Sequence, residues 1–149
     1  MKYALDTNIF LDSFRDDEAE AELLTFLERA LPSTFMSAVV MQELAAGART
    51  PRAARELRRL VFEPFERRGR VFAPSAAALV ESGRILAALA AREGWPLVDE
   101  NPSLLNDALI AASCRERGIA LVTKDRDFMR LAPFVKGCRH FAPWPEMTS

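Results

Sequence analysis

The chain has 149 residues, half of them hydrophobic, with 20 Lys and Arg against 21 Asp and Glu and a formal net charge of −1 at pH 7. That is enough apolar material for one domain with its own core, and it excludes disorder and an overall positive field, so any surface for nucleic acid must be local. No apolar run approaches the ~20 residues that span a bilayer, and with Asp6 so near its start the chain lacks the layout of a signal peptide, so a cytoplasmic protein is expected.

Lys2 to Asp6 reads as a short buried strand, and Asn8 to Phe14 as a loop or short helix. Asp16 is the N-cap of a helix that carries Leu23, Leu24, Leu27 and Leu31 at helical spacing and stops at Pro32. Its acids complement the macrodipole. Thr34 to Ser37 is a second strand, and Ala38 to Arg49 fits a helix ended near Gly47. Thr50 followed by Pro51 opens a further helix to about Glu63, which Pro64 closes. Leu57, Leu60 and Val61 share one of its faces, whereas Arg52, Arg55 and Arg59 lie outward on the other.

Arg70 to Phe72 is a third strand, and Pro74 and Ser75 start a long helix over Ala76 to Glu93 that Gly94 ends. Trp95 to Glu100 reads as a less regular loop, and Asn101 with Pro102 again caps and opens a helix, which runs to Gly118. Ile119 to Val122 is an apolar strand, followed by a short helix around Phe128 to Leu131, a last strand near Arg139 to Ala142 and a proline-containing tail. Strands alternating with helices predict a single three-layer α/β/α domain over residues 1–149, its core about 2–142, with a mainly parallel central sheet of four to five strands.

Four places carry acids that a purely structural reading handles poorly. Asp6 and the pair Asp125 and Asp127 each follow a buried strand, and open α/β sheets bind ligands beyond the carboxyl ends of their strands. Taken singly, Asp6 could cap the next segment and Asp125 could start a turn. Asp107 falls inside the stripe formed by Leu104, Ala108, Ile110, Ala111 and Cys114, where an unpaired charge costs several kcal/mol. Glu43 repeats the pattern among Val39, Val40, Ala46 and Gly47. A buried salt bridge is the alternative for both.

Carboxylates from two strand ends and two helix faces make a cluster whose repulsion calls for a divalent cation. Oxygen donors without Cys or His select Mg²⁺ or Mn²⁺ over Zn²⁺. The two cysteines, Cys114 and Cys138, lack metal-ligand spacing and are expected to be free. The single histidine, His140, lies on the last strand and excludes any mechanism that needs two imidazoles. Phosphodiester hydrolysis is the natural reaction class for such a site.

Leu5-Asp6-Thr7-Asn8, Ser37 with Gln42-Glu43-Leu44 and Gly47, Asn106-Asp107-Ala108-Leu109-Ile110-Ala111-Ala112, and Leu121-Val122-Thr123-Lys124-Asp125-Arg126-Asp127-Phe128 resemble, in order, the motifs of PIN domain nucleases. The likeness is nearest to VapC-type toxins of toxin–antitoxin pairs and covers residues 2 to about 142. It implies a Mg²⁺- or Mn²⁺-dependent endoribonuclease acting on RNA, a homodimer, and a cognate VapB-like antitoxin as partner. By motif position Asp6, Glu43 and Asp107 correspond to the family's metal-binding acids. The fourth place is open, because many relatives have asparagine where Asp125 stands and one more residue before the acid preceding phenylalanine. Asp125 is favoured there and Asp127 is kept as a contributor.

Thr7, Asn8 and Thr123 would orient carboxylates or water, with Asp12, Asp99 and Glu100 further out. Lys124 and Arg126 are candidates for phosphate contact, and Arg52, Arg55 and Arg59 for tracking an RNA backbone, for receiving an acidic antitoxin segment, or merely for solubility. A housekeeping RNA-processing nuclease and a non-catalytic binding module are the alternatives. A haloacid dehalogenase-type phosphatase would need a second aspartate where Asn8 stands.

Overall fold

The computed structural model describes residues 1–141 and 144. Five strands, β1 (Lys2–Leu5), β2 (Thr34–Ser37), β3 (Val71–Phe72), β4 (Ile119–Val122) and β5 (His140–Phe141), form one sheet in the order β3-β2-β1-β4-β5. Every pairing is parallel. In β1 only Lys2 is exposed, and β4 is buried throughout, as expected of strands covered on both faces. The order reverses at β1, so the crevice between β1 and β4 is the switch point at which such sheets bind ligands.

Helices α1 (Thr7–Arg15), α2 (Asp17–Ala30), α3 (Ala38–Gly47), α4 (Pro51–Leu57), α5 (Glu63–Glu66), α6 (Ala76–Glu93), α7 (Trp95–Glu100), α8 (Ser103–Arg117) and α9 (Phe128–Leu131) supply the outer layers. Side-chain caps begin most of the longer ones. Asp16 accepts from the Ala19 amide, Thr50 from Ala53 and Ser75 from Ala78. Gly118, at φ 65°, ends α8 in the left-handed conformation that glycine takes without strain. Among the described residues no helix is long and apolar enough to cross a membrane.

Several expectations need correction. Pro64 does not end its helix. Residues Arg58–Phe62 form a π-helical turn in which the Glu63 amide reaches back to the Arg58 carbonyl, and Pro64 then falls in the first turn of α5, where no N–H is required. The wider turn also rotates the inward face, so Leu60 is 61% exposed while Phe62 and Phe65 are buried. Trp95–Glu100 is a helix, with Gly94 at φ 95° turning the chain into it. Asn101 does not cap α8, since its side-chain amide donates instead to the Leu97 carbonyl. On α2 the buried stripe is Ala19, Leu23, Phe26 and Ala30, and Leu24 faces outward. Of the expected last strand, Ala142 lies outside the described residues.

Candidate metal centre at the strand ends

β1 and β4 run side by side with Leu5 opposite Val122, so the next residue of each chain segment emerges at the same level. That parallel register puts Asp6 beside Thr123. The Asp6 amide still donates to the Val122 carbonyl at 2.9 Å, and the Asp6 carboxylate is fixed at both oxygens. Its Oδ1 accepts from the Thr7 amide at 2.8 Å, and its Oδ2 from the Thr123 hydroxyl at 2.6 Å. Asp6 is only 6% exposed. Burial raises its pKa against the help of these donors, and Glu43 and Asp125 add repulsion.

Carboxylate oxygens of Asp6, Asp107 and Asp125 all lie within 4.8 Å of one another. Asp107 comes from α8, where Leu104, Ala108, Ile110 and Ala111 are buried around it. Its Oδ2 is buried with no hydrogen-bond partner. Desolvation first, then the charges of Asp6, Asp125, Glu43 and Asp127, push its pKa up to about 8. A salt bridge for Asp107 is therefore absent among the described residues, and an orphaned buried oxygen facing two more carboxylates fits a hard cation. The Asp125 loop is tied down in turn: its amide donates to Thr123 Oγ1 at 3.0 Å, and its Oδ1 accepts from the Asp127 amide at 2.8 Å.

Glu43 is half-buried on α3 beside buried Val39, Val40 and Leu44, whereas Ala46 and Gly47 are exposed, so the expected stripe is narrower. Its Oε1 accepts from the Thr7 hydroxyl at 2.8 Å. Glu43 is not among the three mutually close acids, but its charge raises the pKa of both Asp6 and Asp107. Asp127 also repels Asp107 and has its Oδ1 3.5 Å from an Arg130 nitrogen.

Asn8 and Asp12, one turn apart on α1, latch the loop after β4. Asn8 Oδ1 accepts from the Lys124 amide at 3.4 Å, and Asp12 Oδ2 from Lys124 Nζ at 3.3 Å. Sequence reasoning missed that Asp12 is the partner of Lys124. The signal was the i, i+4 spacing of Asn8 and Asp12, which puts both on one face of α1. Arg126 is exposed. Arg52, Arg55 and Arg59 are exposed on α4 and the turn after it, and Arg52 is paired with Glu56 at 3.2 Å. Asp99 and Glu100 are exposed at the end of α7 and join none of these contacts.

The thiols stay out of the centre. Burial pushes Cys114 well above its usual range and Cys138 up to about 11, so neither supplies a thiolate at neutral pH. The donor set is carboxylate oxygen alone, which suits Mg²⁺ or Mn²⁺.

The profile of the PIN domain family matches residues 3–133. A search of curated protein sequences found no match. Among solved structures, FitAcB from Neisseria gonorrhoeae aligns over 95% of this chain and 98% of its own at 20% identity, with a TM-score of 0.68. DNA-bound VapBC from Salmonella typhimurium covers 95% of this chain and 97% of its own at 23% identity and a TM-score of 0.65. VapBC2 from Rickettsia felis, bound to a promoter DNA fragment, aligns over 97% of this chain and 100% of its own at 20% identity and a TM-score of 0.60. At these identities the likeness is one of fold.

Proposed function

The chain belongs to the PIN domain family, and from that premise we propose that it is a metal-dependent endoribonuclease hydrolysing RNA phosphodiester bonds, the toxin of a toxin–antitoxin pair. The observation that carries the reading is the meeting of Asp6, Asp107 and Asp125 with an unpartnered, buried oxygen on Asp107. Three carboxylates this close have no structural reason to stay ionised without a cation.

Asp6, Asp107 and Asp125 would hold a Mg²⁺ or Mn²⁺ ion, with Glu43 and Asp127 near enough to contribute. Such an ion, when bound, stabilises charge on a phosphate under attack and eases the deprotonation of water. The protein's own work is positioning. Thr7 fixes one oxygen of Asp6 through its amide and Glu43 through its hydroxyl. Thr123 fixes the other Asp6 oxygen and the start of the Asp125 loop. Lys124, held by Asp12 at the edge of the cluster, offers an ammonium to a phosphate oxygen, and Arg126 offers an exposed guanidinium beside it. Arg52, Arg55 and Arg59 would meet the RNA backbone further away. No imidazole pair is needed.

A VapB-like antitoxin and a second copy of the chain are the partners this reading supplies, and the VapBC and FitAcB assemblies of similar fold support the first. Two experiments test it. Purified protein should cut RNA with Mg²⁺ or Mn²⁺ and stop on EDTA; cutting that continues in EDTA would overturn the metal assignment. Expression without a partner should arrest growth, and Asp6→Asn should abolish the arrest. Harmless wild-type expression of a protein that cuts RNA in vitro would remove the toxin role and leave a housekeeping nuclease.

A further inference from the structure

A second charged site lies away from the acids, on the flank where α6, α8 and the turn after α9 meet. An open groove of about 430 Å³ is lined there by Arg84, Arg115 and Lys136 with Glu81, and by the apolar Pro133 and Phe134, with Ile85 buried beneath them. Glu81 is only 25% exposed and serves two arginines at once. Its Oε2 accepts from Arg84 at 2.6 Å, and its Oε1 lies 3.7 Å from Arg115. The carboxylate thus faces two guanidiniums and leaves one of their two positive charges unmatched. With Lys136 the groove has three cations against one acid.

In a simple surface ion pair one cation meets one acid, as in Arg52–Glu56, Arg58–Glu66 and Arg67–Glu63. Here two positive charges remain beside an apolar wall. The ligand chemistry that satisfies both is an anion joined to a flat apolar body: a nucleotide, with its phosphate on the guanidiniums and its base against Pro133 and the half-buried Phe134. The volume is within the range of small-ligand sites.

Both walls lead to the acid cluster. Asp107 and Arg115 are eight residues apart on α8, ~12 Å along the helix axis, and the segment leaving Asp125 continues through α9 to Phe134 and Lys136. We propose that this groove binds one nucleotide of an RNA strand at a distance from the bond cut at the acid cluster. The proposal rests on the nuclease reading for its RNA, but not for its chemistry, since a free nucleotide offers the same phosphate and base.

The test uses the full chain in EDTA, so that nothing is cut. Adenosine monophosphate, adenosine, inorganic phosphate and an acidic peptide are titrated separately while backbone amide NMR shifts are followed. The monophosphate should move the amides of Ile85, Arg115 and Phe134, and adenosine or phosphate alone should bind at least about tenfold more weakly. Arg84→Gln with Arg115→Gln should weaken the monophosphate by about tenfold and lower the salt dependence of single-stranded RNA binding by about two phosphate contacts. Lys136→Gln, at an exposed position that leaves the Glu81 pairs intact, should lower it by about one. Unchanged affinity and salt dependence in both variants, shifts confined to other residues, or a peptide that binds as well as the monophosphate would each overturn the proposal. RNA held here but never cut on adding Mg²⁺ would instead sink the nuclease reading and leave the groove standing.

Discussion

Two charge-dense regions of this protein are built in opposite ways. Around α4 and α5 three surface ion pairs form, Arg52 with Glu56, Arg58 with Glu66 and Arg67 with Glu63, beside the exposed Arg55 and Arg59. At the ends of β1 and β4 three half-buried or buried carboxylates, Asp6, Asp107 and Asp125, meet without a cation among them, and hydroxyls and amides orient Asp6 and the Asp125 loop without cancelling their charge. The first arrangement keeps a helix in water for almost no net energy. The second costs stability that a bound cation would offset. The difference teaches where to look in a fold of this kind, because charge left without a partner marks a site more reliably than charge density does.

The largest effect that could break this contrast is at Asp107. Its folded-state pKa of about 8 lies far above the usual carboxylate value, so the metal-free folded state binds a proton that the unfolded chain has already lost. The stability this contributes is therefore fully present below pH about 4 and is lost as pH rises through about 8, at no more than about 1.4 kcal/mol per pH unit. Asp6 is raised as well and acts in the same direction. In EDTA the melting temperature should fall across that window, and saturating Mg²⁺ should remove the slope, since a cation favours the ionised acids. Asp107→Asn should flatten the metal-free slope, raise stability at the alkaline end and lower RNA cleavage at least about 100-fold. Metal-free melting that is flat with pH would mean the acids are no more strained than the α4 pairs.

How much of this was legible beforehand depended on whether the cue was local. Asp6 follows an apolar strand, and Asp107 interrupts a helical apolar stripe, so both could be placed from their neighbours in sequence. Glu43 was placed for a partly wrong reason, since Ala46 and Gly47 turned out to be exposed. The parallel register that sets Asp6 beside Thr123 needs the sheet order, which periodicity does not contain. The π-helical turn at Arg58–Phe62 was invisible, because Pro64 reads as a helix stop unless tertiary packing of Phe62 and Phe65 favours one wider turn. Trp95–Glu100 is too short for a helical period to show. The pairing of Asp12 with Lys124 joins residues 112 positions apart and could be guessed only from the face that Asp12 shares with Asn8.

A middle-sized effect sharpens the comparison from within the acid region. Thr123 both donates to Asp6 and accepts from the Asp125 amide, so one hydroxyl sets two carboxylates. Thr123→Val keeps the shape and loses both bonds. Divalent-ion affinity, read by calorimetry, and cleavage should drop about 10- to 100-fold, with a stability loss of about 1–3 kcal/mol from the unpaired amide. Thr123→Ser should restore most of the function. A valine variant with wild-type ion affinity would show that the acids are positioned by their own backbone and not by this hydroxyl.

The smallest effect comes from the α4 surface, where the contrast between paired and unpaired charge recurs along one helix and the turn after it. Arg52 is 84% exposed and already engaged by Glu56, whereas Arg55 and Arg59 are exposed with no ionic partner among the described residues. Arg52→Ala and Glu56→Ala should each shift stability by less than about 0.5 kcal/mol, and their coupling should be about 0.3–0.5 kcal/mol. If unpartnered charge is what ligands meet, Arg55→Ala and Arg59→Ala should each reduce the salt slope of RNA binding by about one unit, and Arg52→Ala by less. Equal slopes for all three variants would show that pairing by Glu56 is too weak to withdraw Arg52 from RNA. The rule drawn from the acid cluster would then hold only where burial makes an unpaired charge costly, because an exposed ion pair exchanges partners with water and phosphate at little cost.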